Sequence, residues 1–134
     1  MPNLFTEQLI VDGSLRVSPQ GLEFDVRLPW YRSLPLSTVE IGVLRIDGKA
    51  IPTDAISLQV NARRHGARDL ADQVEDWWYV LDPGRVRVLA PDLGPSSVTD
   101  IELAIHLYPP YIPGLQWVIR NKKSLRAGAA LETT

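Results

Sequence analysis

Hydrophobic and polar residues alternate most cleanly in two stretches of this chain. Over residues 21 to 28, Leu22, Phe24, Val26 and Leu28 share one side while Glu23, Asp25 and Arg27 share the other. Over residues 98 to 107, Ile101, Leu103, Ile105 and Leu107 oppose Glu102, Ala104 and His106. A period of two is what a strand needs to bury one face and wet the other. Shorter runs at 56–60, 77–81, 85–89 and 115–120 predict further strands. Within 38–46 the parity switches, with Val39, Ile41 and Val43 on one side and Leu44 and Ile46 on the other. Such a switch predicts a bulge or a strand covered on both faces.

Turn chemistry divides these runs. Asp12-Gly13, between Leu9-Ile10-Val11 and Leu15-Arg16-Val17, predicts a hairpin, and Asp47-Gly48 and Asp82-Pro83-Gly84 predict turns. One helical stripe stands out: Leu70, Val74 and Trp77 or Trp78, with Asp69 and Asp72 placed to complement an N-terminal dipole. It predicts one or two helical turns. The expected fold is therefore all-β, an antiparallel β-sandwich of seven to nine short strands with at most one short helix. Residues 1–134 are expected to form one domain, with 122–134 a mobile tail, since no pattern is sustained there.

The stretch Leu28-Pro29-Trp30-Tyr31-Arg32-Ser33-Leu34-Pro35-Leu36-Ser37 interrupts the strand pattern. Its prolines fix φ and remove backbone donors, so it predicts a stiff loop. Trp30 and Tyr31 offer large amphipathic rings and Arg32 a rigid fork of donors, the residue types that dominate protein interfaces. Trp30 alone is as well suited to plugging the core, but the three together point to contact with a partner or ligand. Replacing Trp30 and Tyr31 by Ala is expected to abolish partner binding and leave the domain folded. Tyr108-Pro109-Pro110-Tyr111-Ile112-Pro113-Gly114 is a second loop of the same chemistry. Trp77-Trp78-Tyr79 is expected to be core rather than a sugar platform, because only one parity of a strand can face solvent.

Composition narrows the chemistry. There is no Cys, which excludes disulfides, thiolate nucleophiles and Cys-ligated zinc. A formal charge of -2 leaves no electropositive footprint for nucleic acid. No apolar run reaches the ~20 residues of a membrane-spanning helix, and Met1 to Glu7 lack the features of a secretion signal, so a cytoplasmic location without membrane contact is expected. His65 and His106 are the only imidazoles. His106 lies four residues from Glu102 along one strand, roughly 13 Å, too far to share an ion. His106 is thus expected to be a plain strand residue and His65 a loop residue. The glycines are isolated and the serines have no nearby histidine, so neither a phosphate-cradling loop nor a serine hydrolase is supported. No catalytic set, metal site or cofactor is expected on this chain.

The order Phe24-Asp25-Val26-Arg27-Leu28-Pro29-Trp30-Tyr31-Arg32-Ser33-Leu34-Pro35-Leu36-Ser37, Ile46-Asp47-Gly48, Trp77-Trp78 and Leu107-Tyr108-Pro109-Pro110-Tyr111-Ile112 resembles the small (beta) subunit of bacterial C-glycoside deglycosidases. The first motif carries most of the specificity. The resemblance implies a non-catalytic subunit of a hetero-oligomer, docked on a larger alpha subunit with a TIM-barrel that holds a divalent metal, manganese or magnesium, and the general base. The reaction it implies is lytic cleavage of the carbon-carbon bond between a 3-oxo-glucosyl ring and an aromatic aglycone. A ketone at sugar C3 acidifies the C2 hydrogen, and elimination across C2 and C1 follows once an acid protonates the departing ring carbon. Trp30, Tyr31, Arg32, Tyr108 and Tyr111 would then form the partner interface or wall its pocket. The alternative is a free-standing carbohydrate-binding β-sandwich that uses the same aromatics as stacking platforms.

Overall fold

The computed structural model describes residues 9–126 apart from 12, 19, 29, 31 and 90–97. The described residues form eleven strands in chain order: β1 (Arg16–Ser18), β2 (Gly21–Val26), β3 (Leu34–Pro35), β4 (Val39–Ile46), β5 (Lys49–Ala50), β6 (Ile56–Val60), β7 (Arg63–Gly66), β8 (Trp77–Trp78), β9 (Gly84–Leu89), β10 (Val98–Leu107) and β11 (Trp117–Arg126). All pairings are antiparallel. One sheet runs β1-β2-β9-β6-β7, a second β11-β10-β4-β5, and β3 and β8 make a two-residue ribbon. The count exceeds the expected seven to nine because pairs of residues such as Leu34-Pro35 and Lys49-Ala50 hydrogen-bond as strands although they are too short to carry a period.

Alternation explains how the two large sheets meet. Leu22, Phe24 and Val26 of β2, Val86 and Val88 of β9 and Leu58 of β6 share one buried cluster with Leu44 and Ile46 of β4, Ile101, Leu103 and Ile105 of β10, and Ile119 and Leu125 of β11. That shared core is what a sandwich requires. The outer face of the first sheet is not simply wet. Glu23 is buried beneath arginines, 3.1 Å from Arg87, 3.7 Å from Arg85 and 3.9 Å from Arg16.

Four expectations change. The segments either side of Asp12-Gly13 do not form a hairpin with each other: Val11 donates to the Asp25 carbonyl and Arg27 to that of Leu9, while β1 pairs with β2 farther along. The Ser14 hydroxyl fixes this course, donating to the Val11 carbonyl at 2.6 Å and accepting from the Asp25 amide at 2.9 Å. The helical stripe yields only a 3-10 segment, Ala67–Asp72, after which the chain enters β8. His65 lies in β7, closed onto β6 by a turn in which Asn61 and Ala62 both have positive φ. Finally, the tail expected from 122 is preceded by five more residues of β11, to Arg126, and residues 127–134 lie outside the described region. The pattern is hidden there because inward positions of β11 are polar. Asn121 accepts from the Ile10 amide at 3.0 Å and Lys123 donates to the Ile10 carbonyl at 3.1 Å, so the strand binds backbone where a core residue would stand. The parity switch in β4 is a bulge, with the register against β10 slipping at Gly42 between the Ile41 and Val43 pairs.

Candidate functional site

The registers gather the loops that matter at one end of the sandwich. Val26 pairs with Gly84, Gln59 with Arg85, and Leu107 with both Val39 and Trp117. The connections after β2, before β9 and between β10 and β11 therefore share that end, and the indole N–H of Trp30 donates to the Tyr111 hydroxyl across it. The two proline-braced loops thus touch each other.

Of the five residues singled out from sequence, Trp30 turns inward. It is 8% exposed and its ring meets Trp117 edge-on, with centroids 5.9 Å apart at 63°. The correction has a physical cause: an apolar ring finds a matching ring at the start of β11, and its one polar atom is satisfied by Tyr111. Arg32 and Tyr111 remain outside. The Arg32 guanidinium lies 4.7 Å from the centre of the Tyr111 ring, a cation-π stack that holds a flexible arginine in one place, and Tyr111 is 41% exposed. Tyr108 is also exposed but belongs to a different cluster, and Tyr31 lies outside the described residues.

The Tyr108 cluster was missed from sequence. Its hydroxyl donates to Glu40 at 2.9 Å and accepts from the Gln116 amide at 3.1 Å. The same amide nitrogen is 2.9 Å from His106 Nδ1, and Glu40 is 3.6 Å from that nitrogen. The hydrogen bond to Glu40, aided by burial and by the charge of that carboxylate, raises the Tyr108 pKa above its ordinary value, although the Gln116 bond pulls the other way. His106 lies over the bulge, where a Cβ at Gly42 would run into its ring. The signal that could have revealed this was present: Glu40 and His106 both occupy the polar parity of their strands, and the parity switch marks the bulge between them.

A third group flanks the loops. Trp78 is fully buried and donates to the Asp82 carbonyl at 2.9 Å, whereas Trp77 and Tyr79 face outward, so of the aromatic run expected to be core one residue is core and two are surface. Asp76, beside Trp77, accepts from Asn61 at 3.0 Å and lies 2.9 Å from His65 Nε2. Burial raises the Asp76 pKa, but the bonds from Asn61 and His65, the charge of His65 and the Trp77 amide outweigh it, leaving the pKa below the usual value. Val80 N–H donates to the Ser33 hydroxyl at 2.8 Å, which ties this segment to the residue after Arg32. Among the described residues no three His, Asp or Glu side chains converge as metal ligands would, and no helix is long and apolar enough to cross a membrane.

Comparison with known proteins gives a consistent result. Residues 5–111 match the family model described as C-glycoside deglycosidase beta subunit. The chain is 35% identical over 112 residues to a 3'-dehydrocarminate deglycosidase beta subunit from Microbacterium sp, covering 82% of this chain and 83% of the relative. It is 31% identical over 134 residues to a C-glycoside deglycosidase beta subunit from Microbacterium trichothecenolyticum, covering 95% and 100%. A beta subunit of the same description from Arthrobacter globiformis is 28% identical over 109 residues, covering 81% and 83%.

Proposed function

Since this chain belongs to the C-glycoside deglycosidase beta subunit family, we propose that it is the non-catalytic subunit that docks on and completes a metal-dependent TIM-barrel alpha subunit, in a cytoplasmic lyase acting on 3-oxo-glucosyl C-glycosides of aromatic aglycones. The observation that carries the docking surface is the Arg32–Tyr111 stack at the loop end. An arginine already ordered on an aromatic ring loses little side-chain freedom when a partner closes over it, which is how a small patch supports tight binding. Ile112 beside it is an exposed apolar side chain on the same stiff loop.

The chemistry divides accordingly. The divalent ion of this reaction, manganese or magnesium, and the base that removes the C2 proton belong in this reading to the partner. This chain's part is to hold two rigid loops against the barrel mouth, where Tyr108 and Tyr111 can wall the pocket and exclude water from the aglycone.

The test is co-expression with an alpha subunit. Arg32→Glu and Ile112→Asp change exposed side chains, so each variant should keep the wild-type circular dichroism spectrum while the complex dissociates and aglycone release falls with it. Undiminished complex mass and turnover in both variants would remove the loop end from the interface.

A further inference from the structure

Beside the loop end, the outer face of the second sheet carries a groove of about 680 Å³ between β4 and the Ala67–Asp72 segment. Its polar wall is built from Glu40, His106, Tyr108 and Arg120, with Arg68 opposite. The bulge makes the space: with no side chain at Gly42, the imidazole of His106 lies down over the backbone instead of standing into the groove. Bulges of this kind re-aim side chains at functional sites.

The hydrogen-bond pattern states what the groove can recognise. The Gln116 amide nitrogen lies 2.9 Å from His106 Nδ1, which helps hold the imidazole down over the bulge. Glu40 accepts from Tyr108 with one oxygen and is more than half exposed, leaving acceptor capacity free. Both arginines have acidic neighbours, while Glu40 brings a carboxylate to the wall. Arg68 pairs with Asp54, and Arg120 lies 4.0 Å from Glu102. A groove whose arginines have acidic neighbours and whose open acceptor is a carboxylate suits a ligand that donates hydrogen bonds, which describes hydroxyls and not a phosphate or a carboxylate. Tyr108 at the rim adds an aromatic ring, and the volume lies in the range of small-molecule sites.

We infer that this groove, floored by Gly42 and lined by Glu40, His106 and Arg120, binds a neutral hydroxyl-rich ring of pyranose size. The groove meets the docking loops at Tyr108 but is centred on Gly42 and is present on the chain by itself, so it goes beyond the docking role and does not depend on it.

The experiment titrates the ¹⁵N-labelled chain, without any partner, with methyl β-glucopyranoside over about 0.1 to 50 mM, a range that brackets weak single-site binding. Saturable shifts confined to the amides of residues 40–43, 106 and 120 are expected. Glu40→Gln should weaken binding about tenfold, the scale of one hydrogen bond to a charged group. Gly42→Ala should abolish binding by driving His106 into the groove, and Arg32→Glu should leave it unchanged. Absence of saturable shifts, shifts centred on the Tyr111 loop, or wild-type binding in Glu40→Gln would overturn the site. Stronger saturation of the same amides by inorganic phosphate would overturn the ligand class. Because no alpha subunit is present, failure here leaves the docking surface standing, and failure of docking leaves this result standing.

Discussion

Replacing Trp30 by Ala should unfold this domain more readily than any change in the exposed loops. The side chain is 8% exposed, packs edge-on against Trp117 and donates to Tyr111. Roughly 200 Å² of buried aromatic surface at about 25 cal/mol per Å² gives an upper estimate of about 5 kcal/mol. Large-to-small changes at buried aromatics lose about 3–5 kcal/mol, so the two routes agree. Against a total stability of about 5–15 kcal/mol, this is a large share. Trp30→Phe keeps a ring beside Trp117 and loses the N–H donor, so its loss should be nearer 1–2 kcal/mol. Urea denaturation followed by far-ultraviolet circular dichroism measures both, and at ~1–3 kcal/mol per M the alanine variant's midpoint should fall by about 2 M with an unchanged slope. A loss below about 1 kcal/mol for Trp30→Ala would refute the inward placement. The substitution expected from sequence to be a clean test of docking is therefore a test of folding, and Arg32 and Ile112 take over that role.

Gly84→Ala should destabilise by about 1–3 kcal/mol, because the new methyl would stand 2.9 Å from the Trp78 ring and 3.1 Å from Leu58, both fully buried; thermal melts would show it. Asp76 has a lowered pKa, so its stabilising contribution is present above the unfolded value near 3.8 and is lost as pH falls through the folded one. Asp76→Asn should flatten that acid limb in urea midpoints measured from pH 6 downward, and an unaltered limb would contradict it. Tyr108 has a raised pKa, so its contribution is intact below the unfolded value near 10.0 and is lost as pH rises through the folded one. Ultraviolet titration should find Tyr108 ionising late, and Glu40→Gln should move it back toward the ordinary value.

What the sequence disclosed follows from how its residues are buried. β2 and β10 could be read because one face of each meets the core and the other does not, which stamps a period of two on the chain. β11 could not be read past residue 120, because Asn121 and Lys123 satisfy the backbone of Ile10 from inward positions. His65 looked like loop because its strand, Arg63–Gly66, is a short edge with no apolar side chains. The direction of Trp30 was open for a different reason: past a proline, periodicity no longer says which way a side chain points. The Glu40, His106, Tyr108 and Gln116 cluster left a trace in the parity switch that marks the bulge at Gly42, but that β4 lies beside β10 is a long-range pairing outside any local pattern. Family membership was legible from the long proline-braced motif, which lies within the matched residues 5–111.

The most direct measurement compares this chain alone, an alpha subunit alone and the two co-expressed, following complex mass and aglycone release from a 3-oxo-C-glycoside. Turnover only in the joint complex, lost together with assembly in Arg32→Glu, is the predicted result. Cleavage by this chain unaided, or full turnover by the alpha subunit without it, would contradict the accessory role.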